Sequence, residues 1–254
     1  FNTIVGNGSI SVISQHYGAC NFDKANEATT QTILLKLIGT FFIVIPCIIF
    51  LKPLLLLFGA EGEALSLGVK YGIIILIILP LMNAGYTFNT ALRAAGDAVT
   101  PMYLMLSSLI VNLILNIVFI NTLSLGILGV ALATAISQIF LFISGLWVYS
   151  SGKKLIKINL KSLLKPELSY MKKILKIGLP SGFQAILASI ANSIIIKIIA
   201  SFGMNVVASY TVATRTASLA MMPISGLAFA TSVIVGQNVG ARKNERALAA
   251  IRTS

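Results

Sequence analysis

Charge is scarce in this chain. Of its 254 residues only 10% are charged while 57% are hydrophobic, and the mean hydropathy is +0.93. A soluble domain carries roughly 25% charged residues, so most of this surface cannot face water and a polytopic membrane protein is predicted. Histidine occurs once, at His16, and cysteine twice, at Cys20 and Cys47. With no Cys/His spacing there is no metal site to read. One cysteine in a connection and one mid-span give no disulfide framework. No Gly-rich phosphate loop is present, which argues against direct ATP hydrolysis. The first residues already belong to an apolar run, so no signal peptide is read.

The charges that are present are mostly positive, +12 in net terms, and they are clustered. Eight of the nineteen Lys and Arg lie between Lys153 and Lys176, and four more follow Gln237. A single aromatic residue, Tyr170, falls among these lysines, too few for a base-stacking platform, so nucleic acid is not the expected partner. Lys and Arg gathered in short connections between spans are the signature of cytoplasmic loops. The stretch from Lys153 to Lys176 reads as a linker on the inner membrane surface, its lysines near anionic headgroups.

A spanning helix needs about 20 mostly apolar residues. Such runs predict a truncated helix ending near His16, then spans at Thr32–Leu57, Leu65–Leu92, Pro101–Ile120, Gly126–Tyr149, Ile174–Ala200 and Val206–Gln237. The connections 21–30, 94–100, 150–173 and the tail after Gly240 are long or basic; those at 58–64, 121–125 and 201–205 are short. Placing the first set inside and the second outside satisfies every span with one topology. Thr100-Pro101 reads as an N-cap followed by Pro at the first helical position, and Gly18, Gly96 and Gly240 as left-handed C-terminal caps. Pro46, Pro80, Pro180 and Pro223 fall inside or near the ends of spans, where a membrane bundle tolerates the lost hydrogen bond.

The end of the chain repeats its beginning. Ser14-Gln15-His16-Tyr17-Gly18-Ala19 returns as Gly236-Gln237-Asn238-Val239-Gly240-Ala241, and Asp23-Lys24-Ala25 as Glu245-Arg246-Ala247, 222 residues later. A repeat of that length across several hydrophobic runs predicts two related halves. Phe1 in place of Met leads us to expect little more than one period of a longer chain. The expected organisation is a first lobe over 1–149, a basic interlobe loop over 150–173 and the start of a second lobe over 174–254.

All seven acidic residues fall in the connections, none in a span. The spans carry amides and hydroxyls instead. Asn112 and Asn116 share a helix face, as do Thr134 and Gln138 with Ser137 beside them. Such oxygens suit a small cation or a polar ligand group, or they serve interhelical hydrogen bonds worth about 0.6 kcal/mol each. Ser181, Gln184 and Asn192 share a face of the sixth span and line either a cavity or a helix contact. Lys197, near that helix's outer end, can snorkel to the headgroups. Arg215 lies about ten residues, roughly 15 Å, into the seventh span. An arginine there costs at least about 2.5 kcal/mol unless it meets water or a partner, so it is either a functional group or a tie to backbone carbonyls. Met221 and Met222 could adapt to varied apolar ligands or simply pack.

At these residues the chain resembles the multidrug and toxic compound extrusion (MATE) family of cation-coupled antiporters. Arg93-Ala94-Ala95-Gly96-Asp97 is similar to its Arg-x-x-Gly-Asp loop. Asn112-Leu113-Ile114-Leu115-Asn116 resembles its Asn-x-x-Leu-Asp motif, and the run from Gly126 to Thr134 its Gly-x-x-Gly-x-Ala-x-Ala-Thr stretch. Gly178-Leu179-Pro180 and the segment Gly236–Ala241, with Gln237 and Gly240, also match in order. The resemblance implies an all-α membrane bundle of twelve helices in two six-helix lobes, monomeric when complete. This chain would hold the first lobe minus its first helix, plus two helices of the second.

The resemblance further implies export of amphipathic, often cationic, organic compounds across the cytoplasmic membrane by alternating access, with H⁺ or Na⁺ as coupling ion and no cofactor. Asn112, Asn116 and Thr134 match positions of a cation site, a possible Na⁺ site. The motif's closing Asp is Asn116 here, which removes a negative charge and weakens cation attraction. Ala188 stands where one branch carries a coupling Glu. Gln184, Asn192 and Arg215 complete the expected pathway set. A lipid-linked oligosaccharide flippase of the same superfamily and a non-transporting fragment are the alternatives.

Overall fold

A computed structural model describes residues 1–57, 59–151 and 165–254, the side chain of Met204 excepted. Most of the expected interlobe loop therefore lies outside the described residues. The elements are α1 (Asn2–Gly18), α2 (Phe22–Leu57), α3 (Gly62–Ala94), α4 (Val99–Ile117), α5 (Gly126–Ser150), α6 (Leu168–Ala200), α7 (Met204–Gly240) and α8 (Asn244–Thr253). A π-helical turn, Val118–Thr122, continues α4. No strand occurs among the described residues. Six of the helices are long and apolar enough to cross a bilayer; α1, at 17 residues, spans only about 26 Å.

Large apolar side chains lie on the outside as well as in the core, unlike in a soluble bundle. Phe42, Ile49 and Leu57 on α2 are 72%, 65% and 79% exposed, whereas Ser9, Ser14, Thr29, Thr32, Thr40, Thr87 and Asn89 are buried. Lipid accepts the outer apolar faces, so small and polar groups enter the interior beside Val5, Ile13, Phe88 and Leu92 and let helices approach and bond. A compact aromatic knot closes one end of α3 against α5. Phe88 packs 5.3 Å from both Phe142 and Tyr149, and the Tyr149 hydroxyl donates to the Phe88 carbonyl at 2.8 Å.

Helix ends correct several expectations. Residues 22–30 begin α2 rather than forming a connection, and α6 starts at Leu168, six residues before the apolar run. Asp23, Glu27, Glu63 and Glu245 thus sit in helices, though at their ends. Apolar periodicity marks the stretch lipid must cover, and a membrane helix continues past it. Thr100 is not the cap of α4, which starts at Val99. Asp97 does that work: its Oδ1 accepts the Thr100 N–H at 3.0 Å and its Oδ2 the Thr100 hydroxyl at 2.7 Å.

Gly96 is a left-handed cap as expected, with φ +92 and the Asp97 N–H reaching back to the Leu92 carbonyl at 2.9 Å. Gly18 and Gly240 are not. They are the last residues of α1 and α7, and the left-handed positions are Cys20 (φ 57) and Arg242 (φ 59). Their lack of a side chain serves packing instead. A Cβ on Gly18 would overlap the Gln237 carbonyl, and one on Gly240 would overlap the Gln15 carbonyl. The same crossing sets Gly236 against the Ser14 hydroxyl.

That reciprocity is a two-fold relation, because Gly18 and Gly240, Gln15 and Gln237, and Ser14 and Gly236 are the repeat partners. The turns that follow agree bond for bond. Asn21 N–H to His16 O and Cys20 N–H to Tyr17 O, both 3.0 Å, return as Lys243 to Asn238 at 2.8 Å and Arg242 to Val239 at 3.0 Å. Helix α8 begins 222 residues after α2, so the sequence repeat is a structural one. α6 crosses α1 on glycines too: a Cβ on Gly8 would overlap the Ile174 carbonyl, and one on Gly178 the Ile4 carbonyl.

Candidate functional site

The amides and hydroxyls of α4 and α5 meet in one seam. Asn116 Nδ2 donates to Asn112 Oδ1 at 3.0 Å, Asn112 Nδ2 to Ser137 Oγ at 3.2 Å, and Ser137 Oγ to the Thr134 carbonyl at 2.9 Å. Ser108 Oγ donates to the Ser137 carbonyl at 2.8 Å, and Thr134 Oγ1 to the Val130 carbonyl at 2.9 Å. Four-residue spacing puts each set on one helix face, and the two faces turn towards each other. Two acceptors are left over: Asn116 Oδ1 and Gln138 Oε1 are buried without a hydrogen bond among the described residues. The π-helical turn begins two residues after Asn116, and such turns often mark functional positions in helices.

Beside the seam lies a cavity of about 830 Å³, within the range of drug-sized sites. Tyr86, Met102, Met105, Leu106, Leu109 and Leu141 supply its apolar wall, and Ser108, Asn112, Thr134, Ser137 and Gln138 its polar one. Arg93 is the single charged residue lining it among the described residues. The guanidinium also reaches across to α7, with its carbon 5.1 Å from the Phe229 ring centre, while Nη2 donates to Met105 Sδ at 3.4 Å.

The other expected pathway residues do not join this seam. Gln184 and Asn192 are exposed on α6, which packs on α1, with smaller contacts to α2 and α7. Arg215 is exposed on α7 with no hydrogen-bond or ion-pair partner among the described residues. Thr211 and Ser218 on the same helix turn their hydroxyls to the backbone, and Ser218, Met221 and Met222 line a shallow groove. Lys197 borders another. The motif loops do come together: Gln237 Nε2 donates to the Ala94 carbonyl at 2.9 Å, next to Gly96 and Asp97, and Gln15 meets Gly240.

Two residues escape the sequence reading. Asn89 is 1% exposed, and both its amide nitrogen and its oxygen lack a hydrogen bond among the described residues. Lys36 is 1% exposed on α2, one turn from buried Thr40, whose hydroxyl accepts from Asn83 Nδ2 at 2.9 Å. Lys36 lies one turn inside the span read from Thr32, and Asn89 has no amide at helical spacing on its own face, so periodicity singles out neither. An inventory of every polar residue in the long helices would raise both.

The family model MatE matches residues 1–118 and 180–254. The chain belongs to the MATE family. The family is one of transporters rather than enzymes, and the chain is a multi-pass membrane protein. A probable multidrug resistance protein, YoeA of Bacillus subtilis, is 32% identical over 99% of this chain and 56% of its own length. The multidrug export protein MepA of Staphylococcus aureus is 25% identical over 94% of this chain and 53% of its own. Among solved structures, a multidrug resistance MATE transporter in the outward-facing conformation matches with a TM-score of 0.90 and 29% identity. It covers 98% of this chain and 55% of that one. A MOP-superfamily transporter from Pyrococcus furiosus, described as having a binding pocket of reverse polarity, matches equally well. The MATE chain described here thus spans about half the length of these relatives.

Proposed function

We propose that this chain forms one lobe, and the opening of its twin, of an exporter of amphipathic organic compounds across the cytoplasmic membrane, with its basic turns on the cytoplasmic side. The observation that carries the reading is the 830 Å³ cavity, apolar on one wall and lined with amides and hydroxyls on the other. An aromatic drug with a polar head fits such a wall pair, and the relatives named for multidrug resistance and multidrug export support the assignment. A single arginine in the lining speaks against a flippase for lipid pyrophosphates, which would need several cations.

The driving ion is H⁺ or Na⁺, exchanged as the lobes rock. Asn112, Asn116 and Thr134 would form a neutral Na⁺ site, in which the buried acceptor of Asn116 is free to take part. The exporter is monomeric, needs no cofactor, and has lipid and small organic substrates as its only partners. Cells expressing the full-length protein should accumulate less ethidium than controls, and collapsing the ion gradients should abolish the difference. Unchanged accumulation with correctly inserted protein would overturn the export reading.

A further inference from the structure

The α3–α4 turn grips α7 at two points. Arg93 sets its guanidinium over the Phe229 ring at 5.1 Å, and the Ala94 carbonyl takes the Gln237 side-chain amide at 2.9 Å. The left-handed Gly96 (φ +92) lets the chain pass close to Gln237, whose Nε2 lies 3.7 Å from where a Cβ would stand. This turn belongs to the first half of the molecule and Phe229 and Gln237 to the second. The Gln237 contact lies at the end where α1 and α7 cross on Gly18 and Gly240, and Phe229 stands about two turns before it on α7.

We propose that Arg93–Phe229 and Gln237–Ala94 form a latch that holds this side closed and must release for it to open. Arg93 makes the latch responsive to the cavity. The same guanidinium lines that cavity and donates to Met105 on α4, two turns before Asn112. Asp97 fastens the turn to the first residues of α4 through Thr100, so a shift of the latch is delivered to the helix bearing Asn112 and Asn116. A guanidinium drawn inward by a bound molecule leaves the ring, and the two halves lose a cation–π contact between two half-buried groups. The proposal rests on the alternating-access reading above, yet it is measurable without transport.

The test is a distance measurement on the full-length protein in lipid nanodiscs. Spin labels go on Asp23→Cys and Glu245→Cys, exposed repeat-related positions at the starts of α2 and α8, with Cys20 and Cys47 replaced by Ser. Phe229→Leu should raise the ratio of long to short distances roughly 2- to 30-fold, the span expected for a lost cation–π contact. Phe229→Tyr, which keeps the ring, should leave the ratio at the parent value. Arg93→Gln should add nothing further in the Phe229→Leu background. Equal distributions in all variants would sink the latch, as would a shift in the Tyr variant matching that in Leu, or full additivity. If the distances behave as expected while ethidium efflux is absent, the latch stands and the export reading falls. If efflux runs while the distances stay unmoved, the latch falls and the export reading stands.

Discussion

Two helix pairs in this molecule are held by different means. α4 and α5 hold each other, through a chain of side-chain hydrogen bonds running from Asn116 to Asn112, Ser137 and Thr134. α6 and α7 scarcely touch each other. Each packs on α1 instead, by backbone contacts that only glycine permits. Polar residues at helical spacing therefore say which face they share and nothing about what meets that face. The amides of α4 find α5; those of α6 face outward.

The strongest response should come where backbone meets backbone. Gly240→Leu would drive a side chain into the Gln15 carbonyl, which cannot step aside as a flexible side chain would. Overpacking in well-packed cores costs about 1–3 kcal/mol and occasionally more, and a clash with backbone belongs at the upper end or beyond. Gly226→Leu on the same helix meets nothing within 4 Å. Thermal melts in detergent followed by size-exclusion chromatography should show Gly240→Leu strongly destabilised or aggregated and Gly226→Leu near the parent. Equal stability would mean that the α1–α7 crossing is not a close contact.

A smaller loss is expected at the seam. Asn112→Leu removes two hydrogen bonds and strands the Asn116 amide. At about 0.6 kcal/mol per intramembrane bond, with a further penalty for the stranded group, the loss should be about 1–2 kcal/mol. Paired with Ser137→Ala in a double-mutant cycle, a coupling near zero would show that the two side chains do not interact. Asn116→Asp probes the same seam by charge. A carboxylate there should make the melting temperature rise with NaCl but not with choline chloride, since a ligand at ten times its Kd stabilises by about 1.4 kcal/mol. No difference between NaCl and choline chloride in either parent or variant would count against sodium at this seam.

Much of this architecture is legible in the sequence. The seven apolar runs correspond to α1 through α7, and the 222-residue repeat foretells a matching pair of turns. Boundaries are less legible, because hydropathy reports where lipid begins rather than where the helix ends; hence residues 22–30 read as a connection and fold as helix. Gly18 and Gly240 look like local caps. Their actual contacts, with Gln237 and Gln15, are more than 200 residues away in sequence and have no local signature. The pairing of Asn112 with Ser137 is half visible, as two faces whose rotation towards each other only packing decides. Buried Lys36 and Asn89 are hidden for a related reason: nothing in a single helix says which of its polar residues the neighbouring helices will enclose.

The mildest response should come from the exposed polar face of α6, where the contrast between the two pairs is greatest. Gln184 and Asn192 make no hydrogen bond to another side chain among the described residues and stand exposed. Gln184→Leu and Asn192→Leu should therefore each leave stability within about 0.5 kcal/mol of the parent, against the roughly 1–2 kcal/mol expected for Asn112→Leu. The comparison is fair because all three remove an amide from a spanning helix and add similar apolar volume. A loss above about 1 kcal/mol at Gln184, beyond the range of an unpartnered surface site, would mean that a further helix encloses this face and bonds the amide, making α6 a hydrogen-bonded partner in the manner of α4. Unchanged stability together with a loss of ethidium efflux would instead assign the amide to the water-filled path, where it touches substrate rather than protein.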